Sequence, residues 1–360
     1  MQRDLPVTSN RSGRGWLYHL FGMMALVYGI GVSIPLAVNL VIGEGWPVIA
    51  LYNTFAHFAW LPAFGLLAVA VVWRRWSLAG LMLVPVVAFM VIFGVRYLRP
   101  ASAAASLVLP QNDAITISVM TYNILSRGGS YADTLRIIEE SDADVVAVQE
   151  LGFAAADFLA DGLRERYPFA ALHPHEVGVN GQGLFSRFPI LESQFWQAPG
   201  ILGAQSAIVV VEVAGRSVEV ALHNIHTRHP VSGGFGFDPQ RRIVGVDAVL
   251  AHVAADTAEH RILLGDFNMP ELSSDYARIS AAWMDAFGLH GRGLGLTFRP
   301  RLSWFGGLAI PILRIDYIFV DGPIAVQSAH VVADTGGSDH RAVVSQLVLM
   351  TGDPPGTTGL

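Results

Sequence analysis

Residues 261–270, RILLGDFNMP, place an acid and an amide directly after a short apolar run. Residues 262–264 are typical of a strand buried on both faces, and Gly265 interrupts that run. Asp266 and Asn268 then lie two residues apart on the same side of an extended chain, so their side chains would converge. Asp, Asn and Gly are also common turn formers, so this stretch alone leaves both a turn and a functional site open.

Four other stretches also carry an acid, an amide or an imidazole at the end of a predicted strand. They are MTYNIL with Asn123, VVAVQEL with Glu150, LRIDYIF with Asp316, and GSDHRAV with Asp339 and His340. An ordinary hydrophobic core gives no reason for five such placements. Together the five stretches indicate one functional site formed by residues that are distant in sequence.

The chemistry of this residue set is that of a hard metal ion. The chain has no cysteine, and oxygen-rich donors suit Mg²⁺ or Mn²⁺, which keep most of their waters and bind a few carboxylates plus phosphate oxygens. Such an ion neutralises charge on a phosphoryl group, while amide and imidazole donors stabilise the remainder. Asp266 is placed to act as the base for water, with His226 or His340 binding phosphate or protonating the leaving oxygen.

Strand-like and helix-like stretches alternate from residue 115 to residue 350 and would position these side chains. Helix-like segments include 131–140 and 153–166, and Asp238 followed by Pro239 predicts the start of another helix. The mixture predicts a single α+β or α/β domain with a large sheet component. The Ala- and Ser-rich residues 100–114 are interpreted as a linker, and residues 351–360 as a disordered tail.

The first 99 residues have a different composition and form a predicted membrane region. The whole chain is 52% hydrophobic and only 14% charged, and the apolar excess lies in three runs at about 16–42, 47–73 and 76–98. Each run reaches the roughly 20 residues that a helix needs to cross about 30 Å of hydrocarbon. Three successive spans do not fit a cleaved signal peptide. His57, inside the second run, is interpreted as packed among helices.

The distribution of arginines predicts the orientation of these spans. Three arginines precede the first span and two lie in the second loop, whereas the first loop carries one acid, Glu44. The positive-inside rule therefore places the N-terminus and the second loop in the cytoplasm. Three crossings make this a multi-pass cell-membrane protein with an extracytoplasmic domain. Arg96 and Arg99 argue mildly the other way, and a two-span count would reverse the answer.

The motifs TYNIL, VVAVQE, LLGDFN, RIDYIF and GSDHR, in this order, resemble those of the endonuclease/exonuclease/phosphatase superfamily. Its members include pancreatic deoxyribonuclease, apurinic endonucleases, inositol-phosphate phosphatases and sphingomyelinases. Each motif alone is weak, but all five in order are specific, and the match covers residues 115–349. The resemblance implies an α+β four-layer sandwich, in which two packed mixed sheets are flanked by helices and the site lies in a cleft at the top of the sheets.

The resemblance also implies a role for each matched residue. Glu150 resembles the family's principal metal carboxylate, and Asn123 and Asp339 resemble further metal-site ligands, direct or through water. Asp266 matches the acid that orients or deprotonates the attacking water, and Asn268 matches the amide that contacts phosphate.

Asp316 matches the family's acid that orients a histidine, here His340. The resemblance leaves the general base open between the aspartate and a histidine.

A second catalytic histidine is expected in residues 220–230, VALHNIHTRHP. The family pattern of Asn, Thr, His and a later Pro fits His226 best, with His223 as the alternative and His229 unused. Residues 181–188, GQGLFSRF, resemble a stretch that lines the family's cleft. There Arg187 is a candidate phosphate contact, with a surface arginine as the equally open alternative.

Charge separates the possible substrates. Residues 115–350 contain 16 arginines, no lysine and 25 acids, a formal charge of −9, whereas duplex-binding proteins usually present a basic face. This disfavours nucleic acid without excluding it. A lipid-linked or small phosphate at the bilayer is the expected substrate, with undecaprenyl pyrophosphate as the model. The alternatives are a metal-dependent endonuclease or sphingomyelinase-like phosphodiesterase, and a non-enzymatic membrane receptor on a hydrolase fold.

Two further expectations concern the membrane. Three spans before such a domain resemble, in architecture, the membrane-bound branch associated with teicoplanin resistance. Residues 288–316 cluster apolar groups, including Trp304 and Phe305, among glycines and arginines. This pattern predicts either a buried loop or a loop that docks on a lipid surface.

Overall fold

The computed structural model describes residues 12–99, 114–125, 128–176, 179–232, 236–302 and 308–351. Residues 100–113 of the expected linker, residues 352–360 of the expected tail, and Trp304 with Phe305 lie outside the described residues. The chain divides into two compact units, Met1–Val95 and Arg96–Leu360.

Long apolar helices make up the described part of the first unit. Three helical stretches are long and apolar enough to cross a membrane, namely Tyr18–Ile42, Pro47–Val72 and Trp76–Leu98. The helices are α1 (Ser12–Ile42), α2 (Pro47–Val72) and α3 (Trp76–Phe89), after which a π-helical turn, Met90–Gly94, leads into α4 (Val95–Leu98). His57 is buried and its ring lies 6.2 Å from that of Phe93, which agrees with a packing role.

The second unit alternates strands and helices, as the sequence predicts. Its elements are β1 (Ala114–Asn123), α5 (Tyr131–Ser141), β2 (Val145–Gln149), α6 (Phe153–Leu163), β3 (Phe169–His173), β4 (Gln182–Ser186), β5 (Ile190–Trp196), β6 (Ile201–Val213), β7 (Arg216–Thr227), β8 (Val231–Ser232), β9 (Gly236–Phe237), α7 (Gln240–Ala254), β10 (His260–Asp266), α8 (Ser274–Ser280), β11 (Met284–Asp285), α9 (Ala286–His290), β12 (Arg301–Leu302), β13 (Leu308–Ala309), β14 (Asp316–Asp321), β15 (Ile324–Val331) and β16 (Val343–Met350).

These strands form two mixed six-stranded sheets. The first sheet has the order β15-β16-β1-β2-β4-β3, and the second has the order β11-β14-β10-β7-β6-β5. In each sheet one central pair is parallel, β1 with β2 and β7 with β10, and the neighbouring pairs are antiparallel. The expected four-layer sandwich of two mixed sheets flanked by helices is therefore confirmed.

Alternation along the strands explains the layers. In β10, Ile262 and Leu264 pack into the core between the two sheets, whereas Leu263 packs with Val249 of α7 on the outer face. All three β10 residues are fully buried, which confirms the prediction of a strand buried on both faces. On the far side, α5 and α6 cover the first sheet through residues such as Ile137.

A pair of buried amides joins the two sheets. Gln149, the last residue of β2, donates through Nε2 to Asn224 Oδ1 of β7 at 2.7 Å. Asn224 in turn donates through Nδ2 to the carbonyl oxygen of Val148 at 3.1 Å. Both amides are completely buried, so each bond forms in a low dielectric and fixes the two sheets relative to one another.

An ion network supports the start of β14. Arg314 is buried between the carboxylates of Glu271 and Asp285, and its guanidinium lies 4.4 Å from the centre of the Tyr317 ring. Burial alone would lower the pKa of Arg314, but the two acids outweigh it and hold that pKa well above its usual value. The network therefore fixes the backbone two residues before Asp316.

The amide pair gives a first test. Asn224→Ala should lower the free energy of unfolding by about 2–4 kcal/mol, because it opens a cavity and removes the buried hydrogen bonds that Asn224 makes with Gln149 and with the Val148 carbonyl oxygen. Urea denaturation of the full chain in detergent measures this loss. Gln197→Ala removes an exposed amide and should change the same quantity by less than about 0.5 kcal/mol. Equal small effects from both variants would show that the amide pair does not hold the sheets together.

Candidate active site

Three neighbouring strands of the second sheet carry the central residues of the site in one row. Asp266 of β10 lies opposite His226 of β7 and opposite Asp316 of β14. Residues directly opposite one another share a face of the sheet. All three side chains are buried, with 1–2% of each residue exposed, so the strand register alone brings together an imidazole and two acids.

His340 completes this row from the segment before β16. Its Nδ1 atom lies 2.9 Å from Asp316 Oδ2, and its Nε2 atom lies 3.7 Å from Asp266 Oδ2. The same Asp266 oxygen lies 3.5 Å from His226 Nε2. One carboxylate oxygen is therefore within reach of two imidazoles, one from β7 and one from the segment before β16.

The first sheet contributes an amide and a further acid. Asn123, at the end of β1, donates through Nδ2 to Asp266 Oδ2 at 3.0 Å and to Glu150 Oε1 at 3.1 Å. Glu150 directly follows β2 and has a φ of 60°, a left-handed conformation that costs a non-glycine residue energy and that clusters at functional sites. The ends of the two sheets thus meet at this cluster.

The loop after β10 holds Asp266 in place. Gly265 has a φ of 136°, and a Cβ atom there would lie 1.9 Å from the carbonyl oxygen of Ile225, so glycine is required. The backbone N–H of Asn268 donates to Asp266 Oδ1 at 2.9 Å, and Asn268 Nδ2 donates to the carbonyl oxygen of Thr227 at 2.9 Å. The stretch is both a side-chain-capped turn and part of the cluster, so the two readings of the sequence are compatible.

Burial and neighbouring charges give the three central groups different pKa values. Burial, followed by the charge of Asp316, raises the pKa of Asp266 to about 7. Burial alone would lower the pKa of His340, but Asp316 and Asp266 outweigh it and raise that pKa to about 10. Burial lowers the pKa of His226 to about 4. At neutral pH, His340 is therefore charged, His226 is neutral and Asp266 is divided between its two forms.

The donor set fits a hard divalent cation. Asp266, Asp316 and His340 can each place one ligand atom within 4.8 Å of the others, but His340 is charged at neutral pH and would have to lose its proton to bind a metal. The raised pKa of Asp266, caused by burial and then by Asp316, reflects carboxylate repulsion that a cation would relieve. Carboxylate and amide oxygens are the ligands that Mg²⁺ and Mn²⁺ prefer. This group differs from the expected metal set of Asn123, Glu150 and Asp339.

Asp339, in that expected set, is half-buried, and its backbone oxygen accepts the N–H of Arg299 at 2.7 Å. The charge of Asp339 contributes to the raised pKa of His340, after burial and the larger effects of Asp316 and Asp266. The charge of Asp339 therefore acts on the cluster through His340.

The structure separates the two candidate histidines. His226 points at Asp266, whereas His223, three residues earlier, lies on the opposite face of β7. There His223 Nδ1 lies 3.0 Å from Ser206 Oγ, and its Nε2 lies 2.9 Å from Asp256 Oδ2. The geometry thus brings His226 to the site and leaves His223 in the layer beneath α7.

Arg187 is not brought to the site. It follows Ser186, which pairs with Val145 at the start of β2, whereas Asn123 and Gln149 mark the other end of the same sheet. Its Nη1 donates to Asp144 Oδ1 at 2.9 Å, and it also pairs with Asp142. The expected phosphate contact is therefore replaced by an ion pair at the far end of the sheet, the alternative that the sequence left open.

Several positioning groups were missed by the sequence reasoning. Ser338 Oγ donates to the carbonyl oxygen of Asn123 at 2.7 Å and accepts the N–H of His340 at 3.0 Å, so it ties both halves of the site together. Its signal was present, since Ser338 belongs to the GSDHR motif. The carbonyl oxygen of Val179, which lies 3.1 Å from His226 Nδ1, and Thr297, which accepts the N–H of Asp316 at 3.3 Å, gave no such signal.

Known structures share this fold. An endonuclease/exonuclease/phosphatase from Beutenbergia cavernae DSM 12333 is 23% identical, with 67% of this chain and 73% of that chain covered and a TM-score of 0.51. One from Bacteroides vulgatus is 19% identical, covering 65% and 98%, with a TM-score of 0.52. Humanized D. rerio TDP2 is 18% identical, covering 64% and 98%, with a TM-score of 0.50. At these identities the likeness shows the fold.

The family comparison extends over more than half of the sequence. No curated protein matches the chain. The model described as "Endonuclease/Exonuclease/phosphatase family" matches residues 120–340, which span four of the motifs, the fifth up to His340, and every residue of the cluster. The chain therefore belongs to the endonuclease/exonuclease/phosphatase family.

Proposed function

We propose that this protein is a membrane-anchored, divalent-metal-dependent phosphoric ester hydrolase that acts on a lipid-linked phosphate outside the cytoplasm. The observation that carries the proposal is the convergence of His226, Asp266, Asp316 and His340 at one point. That arrangement stands beside Asn123 and Glu150 in a chain with three helices able to cross a membrane.

The two imidazoles have different tasks in this proposal. His340 is held by Asp316 and is charged at neutral pH, so its Nε2–H can donate to a phosphoryl oxygen or to the leaving oxygen. His226 is neutral, and the Val179 carbonyl oxygen beside its Nδ1 holds the proton there. The Nε2 lone pair of His226 therefore faces Asp266 and helps it to orient a water.

Asp266 is the group that orients or deprotonates the attacking water. Its raised pKa, close to neutral, matches that role, since a base works best when its pKa lies near the working pH. Glu150, Asn123 and Asp339 would hold the cation, which when bound neutralises charge on the phosphoryl group. Asn268, next to Asp266, would contact the phosphate.

Charge and tethering support a lipid substrate. Residues 115–350 carry a formal charge of −9, so the domain as a whole does not attract a nucleic-acid backbone. The 14 residues between Arg99 and Ala114 reach at most about 50 Å when fully extended, which would keep the domain close to the bilayer. A lipid pyrophosphate such as undecaprenyl pyrophosphate fits both conditions, and a role in teicoplanin resistance stays a prediction from architecture.

Activity is the direct test. The purified full chain should release inorganic phosphate from undecaprenyl pyrophosphate in the presence of Mg²⁺ or Mn²⁺. Asp266→Ala should lower kcat by orders of magnitude because it removes the group that places the water, whereas Glu150→Ala should weaken the dependence on metal. Phosphate release as a function of metal concentration measures both effects.

A headgroup diester and plasmid DNA serve as competing substrates in the same assay. Preferred cleavage of plasmid DNA would mean that the protein is a nuclease and not a lipid phosphatase. Preferred cleavage of the diester would mean that it is a sphingomyelinase-like phosphodiesterase. Full activity in excess EDTA, or in Asp266→Ala, would exclude metal-dependent hydrolysis at this site.

The pH profile tests the role of His340. Activity should rise as Asp266 loses its proton, at pH 7 or below it once a cation is bound, and fall as His340 loses its proton near pH 10. Asp316→Asn removes the carboxylate that raises both pKa values, so both limbs of the profile should move to lower pH. Measurement of kcat/KM from pH 5 to about 10.5 shows this shift. An alkaline limb that stays in place in Asp316→Asn would contradict the assigned role of His340.

The proposed topology has its own test. A reporter that is active only outside the cytoplasm, fused after Asp113, should be active, because three crossings follow a cytoplasmic N-terminus. A reporter active only in the cytoplasm should be silent at the same position. The reverse pattern would mean that the chain crosses the membrane an even number of times before Asp113.

A further inference from the structure

A cavity near the cluster is lined by basic side chains, two of them arginines, in a domain that is otherwise acidic. Its volume is about 430 Å³, within the range of small-molecule sites. The lining includes no acid. It includes the basic residues His290, Arg292, His330 and Arg341 and the apolar residues Phe287 and Leu296. Two arginines and two histidines therefore face one space in a domain with a formal charge of −9.

The cavity lies at the same end of the sandwich as the cluster. Arg341 directly follows His340, and its N–H donates to the carbonyl oxygen of Thr297 at 2.9 Å. In the strand pairing, Val331 at the end of β15 lies opposite Val343 at the start of β16. The wall formed by β15 therefore reaches the cavity at the edge from which His340 enters the site.

The arginines here lack the acidic partners that most other described arginines in this domain have. Arg292, Arg299 and Arg341 form no ion pair with any residue that the structure describes. The Nε atoms of Arg299 and Arg341 are buried, and neither has a hydrogen-bond partner among the residues that the structure describes. An anion in the cavity would supply the missing acceptor.

We propose that this arginine pocket, formed around Arg292 and Arg341, binds a phosphate group other than the one that is cleaved. The inference rests on the proposed function, because the nearest source of such a group is the second phosphate of a pyrophosphate substrate held at the cluster. A neighbouring lipid headgroup presents the same phosphate chemistry. Planar guanidinium groups suit either one, since they donate two hydrogen bonds to phosphate oxygens.

The first experiment measures binding without turnover. Inorganic pyrophosphate is titrated into the full chain in detergent and EDTA, and the heat of binding gives Kd. Arg341→Gln and Arg292→Gln should each weaken binding about tenfold or more, because each removes a charge-assisted contact. Arg164→Gln, which changes an exposed arginine paired with Asp161 on α6, should leave Kd unchanged. Arg292 is exposed, so its variant serves if Arg341→Gln does not fold.

The second experiment compares substrates with one and two phosphates. On a soluble short-chain prenyl pyrophosphate, both pocket variants should raise KM about tenfold, and on p-nitrophenyl phosphate they should leave KM within about twofold. The same assay in phosphate-free detergent micelles and in phosphatidylglycerol vesicles separates the sources. An effect in both media assigns the pocket to the substrate's second phosphate, and an effect confined to the vesicles assigns it to a headgroup phosphate.

The inference would be overturned if Arg341→Gln and Arg292→Gln had the same Kd and KM values as the wild type and Arg164→Gln in both experiments. An equal loss on the monoester and the pyrophosphate would also overturn it, because the pocket would then act on the cleaved phosphate. A wild-type protein that binds pyrophosphate through these arginines but hydrolyses nothing would refute the proposed hydrolase while leaving the phosphate pocket in place.

Discussion

The site forms only because strands of the two packed sheets end side by side, so that polar residues at their ends meet. Asn123 and Glu150 belong to the first sheet, and His226, Asp266 and Asp316 belong to the second. A shift of one residue in either sheet would turn its polar side chains to the opposite face. The Gln149–Asn224 amide pair lies one step below the cluster and opposes such a shift, because any slip would leave buried amides without partners.

Charge balance is the second constraint. Asp266 and Asp316 are buried side by side, which is costly unless cations compensate. His340 supplies one positive charge from the segment before β16. The two buried acids would therefore favour the binding of a divalent cation, and such costly buried charges are common at active sites.

Buried ion pairs stabilise the loops that position Asp316 and Asn268. Arg314 with Glu271 and Asp285 fixes the approach to Asp316, while the fully buried Arg242–Asp275 pair, with an Nε–Oδ2 distance of 2.7 Å, lies under the loop of Asn268. The Arg242 guanidinium also reaches the carbonyl oxygen of Asn268 at 3.5 Å. Many of the arginines that the structure describes in this domain pair with acids, whereas Arg292, Arg299 and Arg341 do not.

The sequence alone determined the family, the layered fold, the three apolar helices and most members of the cluster. These features follow from local pattern, since strand and helix periods and motif order are written in consecutive residues. Asp266, His340 and Asn123 were identifiable because a polar group at the end of an apolar strand has no structural purpose of its own. The alternation within β7 also showed that His226 and His223 lie on opposite faces of the strand. Which of these two faces carries the site is set by the other sheet.

Only the tertiary structure decided which groups meet. Arg187 has the same sequence context as a cleft residue, yet strand direction places it at the far end of the sheet beside Asp142 and Asp144. The tautomer of His226, fixed at the Val179 carbonyl, and the pocket around Arg341 likewise come from segments that are far apart in the chain. Contacts of this kind depend on register and on charge summed over several elements, and no short stretch of sequence encodes either one.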